Sequence, residues 1–191
     1  MAVAAETEPL LDASSFLAGL GPDAERQELI EGRVVMMVGG RRAAFALSAR
    51  LVIALGNRFA GGPCMAYGDG ALVRIDERTL LSPDVFVDCS PFDPTPQWFE
   101  APVVIAAVLS ETTEIRDRTV KWRLYRGLAS LRHYLLVSQV ERRIEHYAKA
   151  GEVWRYLDLV GDDDVLRIES LGIEFPLGEI YEGIIASAEE G

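Results

Sequence analysis

"PVVIAAVLSETTEIRDRTVKWRLY", residues 102–125, changes character halfway. Seven apolar residues, Val103 to Leu109, come first, and a segment crowded with charge follows. The first half has no polar alternation, so it reads as a strand buried on both faces and central in its sheet. The second half reads as a helix from about Thr113 to Leu128. On that helix, positions 117, 121, 124 and 128 form one stripe, bordered by 120 and 125. The stripe is Asp117, Lys121, Leu124 and Leu128, with Val120 and Tyr125 at its edges. Lys121 therefore lies on the apolar face, while Arg116, Arg123 and Arg126 point elsewhere. Two readings are open. Lys121 is a snorkelling lysine paired i, i+4 with Asp117, worth a few tenths of a kcal/mol. Alternatively, it is a cation aimed over the sheet at a phosphate or an attacking water.

The flanking sequence supplies further strands. "DASSFLAGL" reads as a short N-terminal helix, and "QELIEGRVVMMV" as two strands joined by a tight turn at Glu31-Gly32. Residues 42–59 place Phe45, Leu47, Leu51, Ala54 and Leu55 at helical spacing. "MAYGDGALVRID" reads as a strand interrupted at Gly68-Asp69-Gly70, and "PDVFVDC" as a short strand entered through Pro83. "SPFDPTPQWFE" is a loop, because its prolines cannot hold a ladder. "HYLLVSQ", "RRIEHYAKAG" and "EVWRYLDL" read as three strands, the last two joined at Ala150-Gly151. "VGDDDVLRIESL" adds a turn and a strand. Early helices and many later strands predict a mixed α+β (α/β) fold, a central mixed sheet flanked by helices. The 191 residues form one domain, 1–191, with 1–12 and 183–191 expected as flexible tails.

Hydrophobic residues make up 49% and charged residues 26%, ordinary for a globular chain. No apolar run reaches the ~20 residues needed to cross a bilayer. The start, "MAVAAETEPLLDASS", carries acids where a secretory signal needs a basic segment. A cytoplasmic protein without a membrane partner is expected. Cys64 and Cys89 lack a CxxC spacing and a histidine partner, and read as buried free thiols. The net charge of −11 argues against general attraction to nucleic acid. A local basic groove is still possible, because Arg116, Arg118, Lys121, Arg123, Arg126 and Arg132 face only Asp117 in their stretch.

Asp84 follows Pro83 at a strand entrance, where aspartate is often a turn residue. An acid at a sheet end beside a buried strand is also how a divalent cation is held, since magnesium takes carboxylate oxygens and keeps several waters. Glu28, at the start of the first hairpin, is either a solvated strand residue or part of a charge pair. His133 and His146 have no acid–nucleophile pattern and read as structural or surface residues. Asp162 to Asp164 read as a solvated turn, Trp98, Trp122 and Trp154 as packing anchors, and Ser110, Thr112 and Thr113 as helix caps. "VGG" at 38–40 lacks the Lys-Ser/Thr of a phosphate loop.

Taken in order, these pieces resemble the Uma-type restriction endonuclease domain family, a bacterial branch of the PD-(D/E)xK nuclease superfamily. The likeness runs from about Phe16 to about Tyr181. "QELIEGRVVMM" resembles the family's opening hairpin, with Glu28 on its leading acid. "SPDVFV" matches its Pro-Asp half-motif, and "VVIAAVLSETTEIRDRTVKWRLYRGLASLRHYLLVSQ" its longest signature. The resemblance implies a restriction-endonuclease-like core and metal-dependent hydrolysis of DNA phosphodiester bonds. It further implies Asp84 and Glu28 as ligands of magnesium or manganese, and Lys121 as the catalytic cation. Arg116, Arg123 and Arg126 would touch DNA phosphates, and a homodimer is the expected assembly. The departure falls at the centre of the pattern. The family's glutamate stands directly before Val-Leu-Ser, and here that position is Ala107. A histidine common early in the second helix is also missing, near Ala43 or Ala44. Alanine removes an oxygen ligand outright, so metal binding is expected to be weak and the chain attenuated or inactive. Asp69 and Asp88 are the candidate substitutes. The alternative is an inactive nucleic-acid-binding or homo-oligomeric module.

Overall fold

The computed structural model describes residues 9–21, 25–37 and 39–186. The outermost parts of the expected tails, 1–8 and 187–191, lie outside the described residues. Closer in, the Leu11 amide donates to the Gly32 carbonyl at 2.9 Å, and Ile184 and Ile185 pack on the core.

The chain forms two main sheets. The N-terminal helix α1 (Ala13–Gly19) is capped by Asp12, whose side chain accepts from the Ser15 amide. Strands β1 (Gln27–Ile30) and β2 (Arg33–Met36) form the expected hairpin. Glu31 and Gly32 both take positive φ, 51° and 82°, the left-handed pair that a two-residue hairpin turn needs. A side chain at Gly32 would also meet Leu10 at 2.8 Å. The hairpin joins β4 (Val73–Asp76) and β5 (Thr79–Leu81) in a four-stranded sheet of order β2-β1-β5-β4. Ala13 and Phe16 of α1 cover Leu29 and Leu80 of this sheet.

The larger sheet has six strands in the order β10-β9-β8-β7-β6-β3. Its members are β3 (Met65–Gly68), β6 (Val85–Asp88), β7 (Pro102–Val108), β8 (His133–Val137), β9 (Arg143–Ala150) and β10 (Val153–Val160). The pair β7–β8 is parallel and the others are antiparallel, so the sheet is mixed. Strand β7 is an inner strand, as its unbroken apolar run requires. Helix α2 (Arg42–Phe59) lays Leu47, Leu51 and Leu55 on one face, beside a hairpin of β11 (Val165–Ile168) and β12 (Ile173–Pro176) and the helical turn Gly178–Tyr181. The crossover helix, 114–125, covers the other face with Leu124 and Tyr125. The mixed α+β architecture with a central mixed sheet is therefore observed.

Three readings change. The "MAYGDGALVRID" segment is two strands in different sheets, because Gly70 at φ 98° turns the chain out of one and toward the other. The crossover helix stops at Tyr125, before Arg126-Gly127, rather than at Leu128. The cysteines are not free thiols. Met65 and Asp88 are directly paired across β3 and β6, so the next residues outward, Cys64 and Cys89, face each other and form a disulfide.

The two histidines are buried on β8 and β9. His133 Nδ1 and His146 Nε2 share a hydrogen bond of 2.9 Å, and His133 Nε2 meets Ser170 Oγ at 2.8 Å. Burial pushes His133 down to about 4 and His146 to about 3, with Arg132 and the neighbouring histidine adding to it. The unfolded chain takes up these protons near pH 6.5, while the folded chain resists until far lower pH. Stability from the neutral pair is thus present above pH 6.5 and lost as pH falls toward the folded values. Urea unfolding at pH 7 and pH 5 should differ by about 2–4 kcal/mol. His146→Gln should show a smaller difference.

Candidate functional site

Asp84 stands where the chain leaves the four-stranded sheet and enters the six-stranded one, between β5 and β6. Its Oδ2 accepts from the Val108 amide at 2.7 Å, so the carboxylate clips the end of central strand β7. Along β7, Val104, Ala106 and Val108 pack toward α2, while Ile105 and Ala107 face the crossover helix. Ala107 is therefore on the Lys121 side of the sheet.

Lys121 is 9% exposed. Its Nζ donates to Glu28 Oε1 at 2.8 Å and lies 3.7 Å from Asp117 Oδ1. The i, i+4 pairing exists, but the shorter contact comes from β1. Register explains it: Leu29 pairs with Leu80, which brings Glu28 beside the end of β5, where its Oε1 also accepts from the Ser82 amide at 2.9 Å. Glu28 is 1% exposed, so this is a charge pair held away from water.

The crossover helix is not regular here. Residues Asp117–Lys121 form a π turn between α-helical segments Glu114–Arg116 and Trp122–Tyr125. The Asp117 carbonyl takes the Trp122 amide and also the Tyr134 hydroxyl, at 3.1 Å. A side chain inserted into the helical ladder is a recognised cause of such distortion. Single π turns recur at functional sites.

These residues surround one cavity of about 220 Å³, lined by Ser82, Asp84, Ala107, Asp117, Lys121 and Tyr125 among others. At its rim Arg26 pairs with Asp69, and Arg41 with Glu111. Each of these arginines has an acid of its own, which leaves Lys121 facing several carboxylates. Burial pushes the Asp84 carboxyl up from 3.8 to about 6. The Val108 amide and Lys121 pull it down, and Asp117 and Asp69 push it further up. Burial also raises Asp117, against Lys121 and the Thr113 hydroxyl, with Glu28 adding to the rise. Two buried hydroxyls here, Ser82 Oγ and Tyr125 Oη, have no hydrogen-bond partner among the described residues.

Asp84, Ala107 and Lys121 are thus brought together, with Glu28 behind Lys121 rather than on the cavity wall. The expected arginines are not part of it. Arg116 and Arg123 are exposed on the crossover helix and Arg126 just past its end, and Arg123 pairs with Glu31 at 2.9 Å. Asp69 reaches the rim. Asp88 sits at the far end of β6, paired with Pro102, where it accepts from the Ser90 amide. Asp117, Tyr125 and Ser82 were not singled out as site residues. Of these, only Asp117 carried a sequence signal, its spacing of four from Lys121.

Among the described residues, no three histidine, cysteine or carboxylate side chains converge into a metal cage. The donor set nevertheless suits magnesium or manganese in one respect. Such ions are often held by one or two carboxylates, with waters and substrate phosphate completing the shell. The orphaned hydroxyls of Ser82 and Tyr125 are of the kind that bonds to such waters.

Known proteins agree with this architecture. A crystal structure titled "putative nuclease belonging to DUF820", from Anabaena variabilis, superposes with a TM-score of 0.72. The match covers 90% of this chain and 97% of that one, at 15% identity, and so speaks for the fold, a restriction-endonuclease-like one. Among sequences, uncharacterized protein slr1290 of Synechocystis is 31% identical, covering 92% of this chain and 94% of its own. Uncharacterized protein sll1609 of the same organism is 29% identical, covering 87% of this chain and 97% of its own. The Uma2 family, described as "Putative restriction endonuclease", matches residues 14–178, and the chain belongs to that family. Among the described residues, no helix is long and apolar enough to cross a membrane.

Two substitutions should move stability in opposite directions. Glu28→Ala leaves buried Lys121 with only the longer contact to Asp117, and should cost on the order of 3 kcal/mol. Asp84 behaves differently. Its raised pKa means that the folded chain holds the proton more tightly than the unfolded chain, so ionisation opposes folding above about pH 6. Asp84→Asn should therefore stabilise the protein at pH 8 by on the order of 1–3 kcal/mol, and the gain should vanish at pH 4. Denaturant midpoints at the two pH values measure both effects.

Proposed function

We propose that this chain is a DNA endonuclease of attenuated activity, using a divalent cation at Asp84. The observation that carries this reading is that Asp84, Lys121 and Ala107, distant in sequence, line one cavity at the end of a central strand. Family membership and the nuclease-like fold of its structural neighbour support it.

The residues have separable roles. Asp84 offers an oxygen to magnesium or manganese while its other bond, to the Val108 amide, keeps it aligned with β7. When bound, such an ion offsets phosphate charge and makes water a better nucleophile at neutral pH. Lys121 presents its ammonium to a phosphate oxygen. Glu28 sets the position of Lys121 by holding Nζ at 2.8 Å. Behind the wall, Leu124 and the ring of Tyr125 belong to an apolar core, and a low-dielectric backing strengthens the charge interactions beside it. At Ala107 the site lacks an oxygen, and loss of one stabilising contact of this kind costs about 3 kcal/mol, roughly two orders of magnitude in rate. Arg116, exposed on the same helix, and Arg126, exposed just past its end, are the phosphate contacts further along the strand. Assembly as a homodimer would let two such sites cut two strands.

The second reading is a binding or interaction module without catalysis. It is favoured by one observation: Lys121 already has a carboxylate partner, in a site missing its central acid.

Cleavage of supercoiled plasmid with manganese separates the two. The native chain should cut slowly, and Asp84→Ala should abolish the cutting. Ala107→Glu should speed it by about 100-fold, again only with Asp84 present. If none of these forms cuts, the nuclease reading gives way to the binding module.

A further inference from the structure

The site lacks an acid at 107, yet the cavity wall is not short of carboxylates. Glu28 is committed: its Oε1 takes both the Ser82 amide and Lys121, and it does not line the cavity. Asp69 is tied to Arg26 at the rim. Asp88 is at the other end of its strand. Asp117 differs from all three. It is 3% exposed and lines the same cavity as Asp84, Ala107 and Lys121. Lys121 stands off from its carboxylate at 3.7 Å, and the Thr113 hydroxyl is near enough to lower its pKa. A carboxylate has about four acceptor positions, so Asp117 keeps capacity to spare.

We infer that Asp117 supplies the second carboxylate of the cation site, standing in for the acid that Ala107 cannot provide. The inference rests on the cation reading of Asp84 given above. Three further observations support it.

The first is the backbone. The π turn spans Asp117 to Lys121, so the helix departs from regularity at the two residues that face the cavity. The second is the pair of orphaned hydroxyls. Tyr125 is 1% exposed and Ser82 4% exposed, and both line this cavity with an unpartnered oxygen. Buried hydroxyls are rarely left unbonded, so the wall beside Asp84 and Asp117 carries polar groups that the protein itself does not satisfy. The third is charge balance. Among the described residues, Lys121 is the one cation of the inner wall, against Asp84 and Asp117 on that wall and Glu28 behind it. A bound divalent cation offsets that excess.

The test is manganese binding followed by titration calorimetry, with melting temperature as a second readout. The native chain should bind one manganese ion and melt higher with it. Asp117→Asn should weaken binding at least about tenfold, and Ala107→Glu in the same chain should restore it. Asp117→Ser is the second variant at the position, should the amide not fold. Equal binding by the native chain and Asp117→Asn overturns the inference and leaves the cation reading intact. So does a native chain that binds nothing while Ala107→Glu alone binds. If Ala107→Glu also fails to bind, the cation reading and the inference fall together.

Discussion

A lysine ammonium held away from water between acids from different parts of the fold organises this protein. Lys121 is carried by the helix over the six-stranded sheet, and Glu28 by the hairpin of the four-stranded one. Their contact locks the two sheets to each other. Neither group is tolerable alone at such burial, so each element depends on the other being in place. The same contact fixes the cavity: it sets where Lys121 ends, and therefore what Asp84 and Asp117 see.

The second constraint is local to the sheet. Asp84 is spent partly on the Val108 amide, which ties the entrance of β6 to the end of β7. That bond stabilises the ionised form, but burial and neighbouring acids outweigh it. A carboxylate kept against its preference is a stability cost, and such costs gather where a protein binds or reacts. The π turn has the same character. Its first carbonyl, that of Asp117, accepts a hydroxyl from Tyr134 of β8, so the central sheet touches the helix at the turn.

What was legible in the sequence follows from range. The hairpin turn at Glu31-Gly32, helix α2 and the buried strand β7 announce themselves through spacing and turn chemistry within a few residues. So did the apolar side of Lys121, since helical periodicity alone places it there. Contacts between distant segments were not legible. Nothing near Glu28 says that it meets Lys121, because that depends on the pairing of β1 with β5, and β5 is too short to declare itself. The Cys64–Cys89 disulfide is hidden for a related reason: across a sequence separation of 25, nothing local shows that the two cysteines flank the paired ends of β3 and β6. Ala107 was legible as a gap in a pattern. The carboxylates left around that gap needed the fold to place them.

The account stands or falls on whether the acids around Ala107 hold a cation. Crystals of the native chain grown with manganese, and measured at the metal's absorption edge, would locate it directly. The account predicts an anomalous peak in the cavity within coordinating distance, about 2.1 Å as for magnesium, of carboxylate oxygens from Asp84 and Asp117, with Lys121 still on Glu28. Ordered manganese elsewhere on the protein with none in this cavity would contradict it.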